Sequence, residues 1–168
     1  MRNIVVGVLL ILVSIGLVGC FGMKDNEDIL RIHIRANSNE VQDQDVKYKV
    51  KESVVNYLTP KVAGCESVEM VIDVLNTDKC NIVKVVNNVL IENGFDYGCT
   101  VDIREEYFPT RVYEECTLDA DFYDALIISL GSGEGDNWWC VVYPPLCFKD
   151  TRNVVYKSKL MEIIGKYF

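Results

Sequence analysis

The chain has 168 residues, 49% of them hydrophobic and 25% charged, and its 25 acidic against 17 basic side chains give a formal net charge of −8. That length suits one domain with its own core. The acidic balance argues against nucleic acid or anionic lipid headgroups as partners of the surface as a whole. A single His and seven Cys without a C-x-x-C pair make no zinc pattern, so neither a metal nor a cofactor is expected.

In chain order, Arg2 precedes an apolar run from Ile4 to Val18, and no acid appears before Asp25. This is the charged n-region and apolar h-region of an export signal. The run ends Leu17-Val18-Gly19-Cys20, which resembles a lipobox in which Cys20 becomes a lipidated first residue. Carried on to Met23, the run is long enough to cross a bilayer. Three readings therefore stand: a lipoprotein signal ending at Cys20, a plain cleaved signal over 1–19, or an uncleaved anchor. Removing the signal takes away Arg2 and no acid, which leaves 16 basic against 25 acidic side chains and a charge of about −9. Residues 20–28 read as a linker, polar from Lys24 to Asp28.

From Ile29 to Arg35 the pattern alternates, with Leu30, Ile32 and Ile34 on one side and Arg31, His33 and Arg35 on the other. It predicts a strand with one cationic face, paired either with acids of a covering helix or with an acidic partner. Asn37-Ser38 offers a helix cap. Val46, Val50, Val54 and Leu58 recur at four-residue spacing and predict an amphipathic helix from about Glu40 to Leu58, ended by Thr59-Pro60. Residues 67–93 carry two apolar stripes, one from Val68 to Leu75 and one from Ile82 to Leu90. Asn76-Thr77-Asp78 interrupts them, so two helices are expected, the second closed by Asn93-Gly94.

Strands follow. Tyr97 to Glu106 alternates with Cys99, Val101 and Ile103 on one side, and Ala125 to Leu130 is the continuous apolar run of a central strand. Gly131-Ser132-Gly133-Glu134-Gly135 has no helix after it and carries Glu134 and Asp136 where a phosphate would sit. It reads as a hairpin between two strands, not a phosphate loop. Trp138 and Trp139 occupy the next strand and face opposite ways, so a sheet covered on one side would leave one exposed as a binding candidate. Pro144-Pro145 stops that strand. Residues 151–168 have helical spacing in Val155, Leu160, Ile163, Ile164 and Tyr167 and form a C-terminal amphipathic helix. The whole predicts an α+β fold: a single two-layer sandwich, a small mixed sheet with helices on one face, behind an N-terminal signal or anchor segment.

Setting Cys20 aside leaves six cysteines in an exported chain, where disulfides persist. Cys140 and Cys147 flank the Pro-Pro bend and are the candidate pair; closing so small a loop would contribute roughly 2–3 kcal/mol. A thiol hydrolase acting on the cell envelope would need Cys140 beside His33. Yet Cys140 lies within a strand, away from any helix N-terminus that would activate it. Tyr107, Phe108 and Arg111 stand with the tryptophans as the aromatic and Arg types that dominate protein contacts.

Three blocks resemble one family. Gly131 to Phe148 (GSGEGDNWWCVVYPPLCF), Ile32-His33-Ile34-Arg35-Ala36-Asn37-Ser38 with Asp43-Gln44, and Glu106-Tyr107-Phe108-Pro109-Thr110-Arg111 with Tyr113 look like the signature segments of the stage II sporulation protein R family. Asp119-Ala120-Asp121, where a Pro/Gly turn is expected, and Cys65, Cys80, Cys99 and Cys116 depart from that pattern. The resemblance implies a family domain over 29–150. It implies a non-catalytic signal exported from the forespore, which activates the membrane-embedded aspartic protease that processes the sigma-E precursor. The expected location is the intermembrane space, tethered to the forespore membrane by the lipid or the anchor. Arg31, His33, Arg35, Tyr107, Phe108, Arg111, Trp138, Trp139, Pro144 and Pro145 are the partner-binding candidates, and no nucleic acid is involved. The other readings are the thiol hydrolase and a structural lipoprotein of the spore envelope.

Overall fold

The computed structural model describes residues 28–113 and 117–144. The signal segment with Cys20, the C-terminal 151–168 segment, and Cys116, Pro145 and Cys147 lie outside the described residues. The elements are β1 (Leu30–Arg35), α1 (Val41–Val62), α2 (Val68–Glu92), β2 (Cys99–Phe108), β3 (Arg111–Val112), β4 (Thr117–Leu118), β5 (Asp121–Leu130) and β6 (Asn137–Tyr143). The main sheet runs β2-β5-β1-β6, with β1 parallel to β5 and antiparallel to β6, and β2 antiparallel to β5. β3 and β4 pair separately. This is the expected α+β architecture with a small mixed sheet.

The alternation of β1 places Leu30, Ile32 and Ile34 against the helices. β5 reads as a continuous apolar run because it is buried on both sides: Leu126, Ile128 and Leu130 face the helix layer, while Tyr123, Ala125 and Ile127 face the other way. From α1 come Val46, Val50, Val54 and Leu58, and from α2 come Val71, Leu75, Ile82, Val86 and Leu90, all fully or nearly fully buried. Each such side chain contributes roughly 1.5–3 kcal/mol, so this layer is the main source of folding free energy.

Four local expectations are corrected. α1 does not stop at Thr59-Pro60 but continues to Val62, which is buried in the core. Pro60 removes one helical donor, while Thr59 Oγ1 donates back to the Val55 carbonyl at 2.7 Å and Ala63 N–H reaches Thr59 O at 3.2 Å. α2 is one helix, because Leu75 and Ile82 are seven residues apart. Seven residues are about two turns, so the two stripes are a single stripe and Asn76-Thr77-Asp78 turns away from it. It ends as expected at Asn93, with Gly94 at φ 81°.

Ser38 does not cap α1; the N-cap is Glu40 without a side-chain bond. Ser38 Oγ instead accepts from Glu40 N–H at 3.1 Å and donates to Asp43 at 2.6 Å. Finally, the Gly131–Gly135 segment is not a hairpin. β1 lies between β5 and β6, so the segment crosses the end of β1. A Cβ on Gly135 would lie 2.2 Å from the Ser38 carbonyl oxygen, so only glycine fits that crossing.

Candidate functional site

Arg31, His33 and Arg35 project from β1 away from the helices, as the alternation requires. Among the described residues, the counter-charge of His33 and Arg35 comes from the sheet itself, not from a covering helix. Glu106 of β2 accepts from His33 Nδ1 at 3.1 Å and from the Arg35 guanidinium. Glu106 stands opposite Tyr123, whereas His33 stands opposite Ile127. Four strand residues separate these levels, about 13 Å in a flat ladder. The contact therefore requires the far half of the β2–β5 ribbon to coil back over the sheet, as strongly twisted two-stranded ribbons do.

That coil brings Phe108 and Tyr123 over Arg31. The guanidinium carbon lies 4.2 Å from the Phe108 ring centre and 4.9 Å from that of Tyr123, and one amino group donates to Tyr113 Oη at 2.9 Å. Arg31 is fully buried, and its Nε and other amino nitrogen have no hydrogen-bond partner. Burial pushes its pKa below the ordinary guanidinium range; Tyr113 opposes the shift and nearby Arg111 adds to it.

His33 is 5% exposed and packs between Trp139 (5.3 Å between ring centres) and Phe108 (5.8 Å). Burial lowers its pKa, outweighing Glu106 and Asn137, both of which favour the charged form. His33 Nε2 and Asn137 Oδ1 are both buried without a hydrogen bond, so the influence of Asn137 is one of proximity, not of a formed bond.

At the rim, Arg111 of β3 lays its guanidinium 3.9 Å from the Trp139 ring centre. Leu118 of β4 packs on Val141 with Tyr113 and Ile29 alongside. The open face is thus covered by aromatic and guanidinium groups. Trp139, expected to be bare if the sheet were covered on one side only, is half-buried beneath Arg111. Arg31 and His33 are buried, whereas Arg35, Arg111 and Trp139 meet solvent in part, as do Glu106, Tyr113 and Asn137.

The other candidates lie elsewhere. Tyr107 is 55% exposed on the outer side of the ribbon, edge-on to the equally exposed Phe122 at 5.6 Å. Trp138 faces the helix layer, with Lys51 Nζ 5.8 Å from its ring. Pro144 is buried where β6 ends. Glu106, Tyr113, Tyr123 and Asn137 were not singled out as site residues. The parity of β2, which puts Glu106 and Phe108 opposite the side of Val101, was the available signal for Glu106.

Cys140 is fully buried, faces the helix layer and is disulfide-bonded. His33 points to the opposite side of the sheet, so the two do not meet as a dyad. Of the free cysteines, burial raises the pKa of Cys65, and raises that of Cys99 to about 11, so neither is an activated thiol. The free Cys80 is exposed. Among the described residues no group of His, Cys, Asp and Glu is placed to hold a metal ion.

A second polar cluster ties β1 to α1. Asp43 is 6% exposed and accepts from Asn37 Nδ2 at 2.9 Å, from Ser38 Oγ and from Tyr97 Oη. Burial alone would raise its pKa, but these donors outweigh it and hold it low. Ser132 N–H and Oγ bond to Asn37, and Gly135 N–H to the Ala36 carbonyl at 2.9 Å. Lys47 Nζ, nearly fully buried, donates to the Asp136 carbonyl at 2.9 Å and to Gln44 at 2.6 Å. The blocks Asn37-Ser38, Asp43-Gln44 and Gly131–Asp136 therefore meet at one place in the fold.

The comparisons agree with these blocks. The family model described as stage II sporulation protein R matches residues 26–153. The stage II sporulation protein R of Bacillus subtilis (strain 168) is 34% identical over 127 residues, covering 76% of this chain and 57% of that protein. The chain thus spans a little over half the length of that relative. No solved structure matches.

Proposed function

This chain belongs to the stage II sporulation protein R family and so has a role in sporulation, and from that membership we propose that it is a non-catalytic signalling ligand. It leaves the forespore and, in the intermembrane space, activates the membrane-embedded aspartic protease that removes the pro-sequence of the sigma-E precursor. The observation that carries the reading is the Arg35–Arg111–Trp139 rim. In a chain of charge −8, it gathers two guanidiniums and a half-buried indole above a closed cluster. Aromatic and Arg side chains on a rigid base are what dominates protein contacts; Arg35 is paired with Glu106, so Arg111 is the rim cation that suits an acidic group on the partner.

If Cys20 carries a lipid, residues 21–28 reach about 25–30 Å from the bilayer, at roughly 3.3–3.6 Å per residue. The domain is then held at the forespore membrane facing its target, where a high effective concentration lets a modest affinity suffice. Normal signalling with unchanged membrane retention in a Cys20→Ala protein would remove this tether from the proposal.

The test is co-expression of the full chain with the candidate protease and the sigma-E precursor in a non-sporulating host. Cleavage of the precursor is expected only when both proteins are present. It should be lost in Arg111→Glu and Trp139→Ala and kept in Tyr48→Ala, a substitution at an exposed helix position. Cleavage indifferent to Arg111 and Trp139 would refute the rim as the contact. No cleavage by an exported, folded chain would refute the signalling function.

A further inference from the structure

β2 is an edge strand of the four-stranded sheet. Its pairing with β5 decides which of its peptide groups face outwards. Gly131 N–H donates to the Gly98 carbonyl at 2.8 Å, so that pair is turned inwards. The unbroken register from Cys99 to Phe108 then turns Thr100, Asp102, Arg104 and Glu106 inwards and Cys99, Val101, Ile103, Glu105 and Tyr107 outwards. Cys99 fits this assignment, since its N–H is met by Asn87 Oδ1 of α2 at 3.1 Å. Among the described residues no backbone group pairs with the remaining outward positions. The strand is ten residues long with no proline and no bulge, so it lacks two common protections of a sheet edge.

We infer that β2 pairs antiparallel with β2 of a second copy of this chain, about a two-fold axis through Ile103. Such an axis, perpendicular to the sheet, keeps both helix layers on one side and fixes the parity of the pairs. With Ile103 opposite its own copy, Asp102 faces Arg104 of the second copy and Arg104 faces its Asp102. Val101 meets Glu105, Thr100 meets Glu106, and no like charges are directly opposed. Moving the axis to residue 102 sets Asp102 against Asp102. Moving it to residue 104 sets Arg104 against Arg104 and Asp102 against Glu106. Only the Ile103 register of these three is self-complementary, and opposed residues of an antiparallel pair interact most strongly.

Asp102 and Arg104 are both exposed. Lys79 of α2 reaches Asp102 at 3.1 Å in a pair that is itself exposed, and in the dimer Arg104 of the second copy takes its place. Ile103, half-buried on the helix side, would be covered further by its copy. The second copy is favoured over an unrelated peptide because the charge order of β2 is complementary to itself.

The test is sedimentation equilibrium of the full chain in density-matched detergent, with far-UV circular dichroism as the check of fold. A dimer is expected whose dissociation constant rises about tenfold or more in Asp102→Arg and in Arg104→Asp, each of which sets two like-charge pairs face to face. The double variant Asp102→Arg/Arg104→Asp restores opposite charges and should return to within about threefold of the parent. A monomer would overturn the inference, as would a dimer indifferent to the single reversals, such as one held by the N-terminal apolar segment. A natively folded double variant that stays as weak as the single ones would overturn it too.

Discussion

Replacing Arg31 with Met should leave the domain as stable as before or stabilise it by about 1–2 kcal/mol, although a fully buried residue loses every polar contact it makes. The gains from the guanidinium are its stacking on Phe108 at 4.2 Å and Tyr123 at 4.9 Å, and one hydrogen bond to Tyr113. Each stacking contact is worth roughly 0.5–2 kcal/mol and the charge-assisted hydrogen bond about 1.5–3 kcal/mol. Against them stand two buried nitrogens without partners, Nε and one amino nitrogen, which carry three N–H donors between them, at roughly 1–3 kcal/mol for each nitrogen. The desolvation of the charge costs several kcal/mol more. Glu106, the carboxylate of this cluster among the described residues, is engaged with His33 and Arg35.

Met retains the unbranched stem, fills most of the volume and buries no donor. Arg31→Ala removes the stem as well and should cost about 2–4 kcal/mol through the cavity. The assay is urea unfolding at neutral pH followed by circular dichroism and tryptophan fluorescence, with an unchanged m-value as the condition for comparison. A loss above about 1 kcal/mol in Arg31→Met would refute the reasoning, because the cation would then be a net stabiliser.

Three further outcomes are expected. Burial lowers the His33 pKa below its unfolded value of about 6.5, so between the two values the unfolded chain binds more protons. Stability contributed by neutral His33 is then complete above about pH 6.5 and falls as the pH drops towards the folded value. Urea midpoints from pH 7.5 to 5.5 should fall in the parent and stay flatter in His33→Gln; parallel curves would refute this. Asp43→Asn keeps the shape but weakens three charge-assisted bonds. It should cost about 2–3 kcal/mol, read as a lower melting temperature, and an unchanged melt would refute the role given to the cluster. Gly135→Ala forces a Cβ to 2.2 Å from the Ser38 carbonyl; a loss of about 1–3 kcal/mol is expected in denaturant unfolding, and a neutral result would contradict the crossing of the glycine segment over β1.

What the order of residues determined by itself was local and periodic. The alternation of Ile29 to Arg35 sorted β1 into an apolar and a cationic side because successive strand residues face opposite ways. The four-residue spacing of Val46, Val50, Val54 and Leu58 marked the buried stripe of α1 because a helix returns to one face every 3.6 residues. The three family blocks were legible as signatures before their meeting point was known. Tertiary structure decided the rest. Pro60 failed to end α1 because burying Val62 holds the last turn in place. The Gly131–Gly135 segment crosses β1 instead of reversing beside it, since strand order is set by which faces must be buried together. Glu106 reached His33 and Arg35 only because the β2–β5 ribbon coils, and coiling joins residues 73 and 71 positions apart. No short-range pattern encodes a contact of that span. The same alternation that marked Arg31 and His33 as a cationic face could not say what covers it. That cover is a long-range product of the fold, and it turned two surface candidates into buried ones.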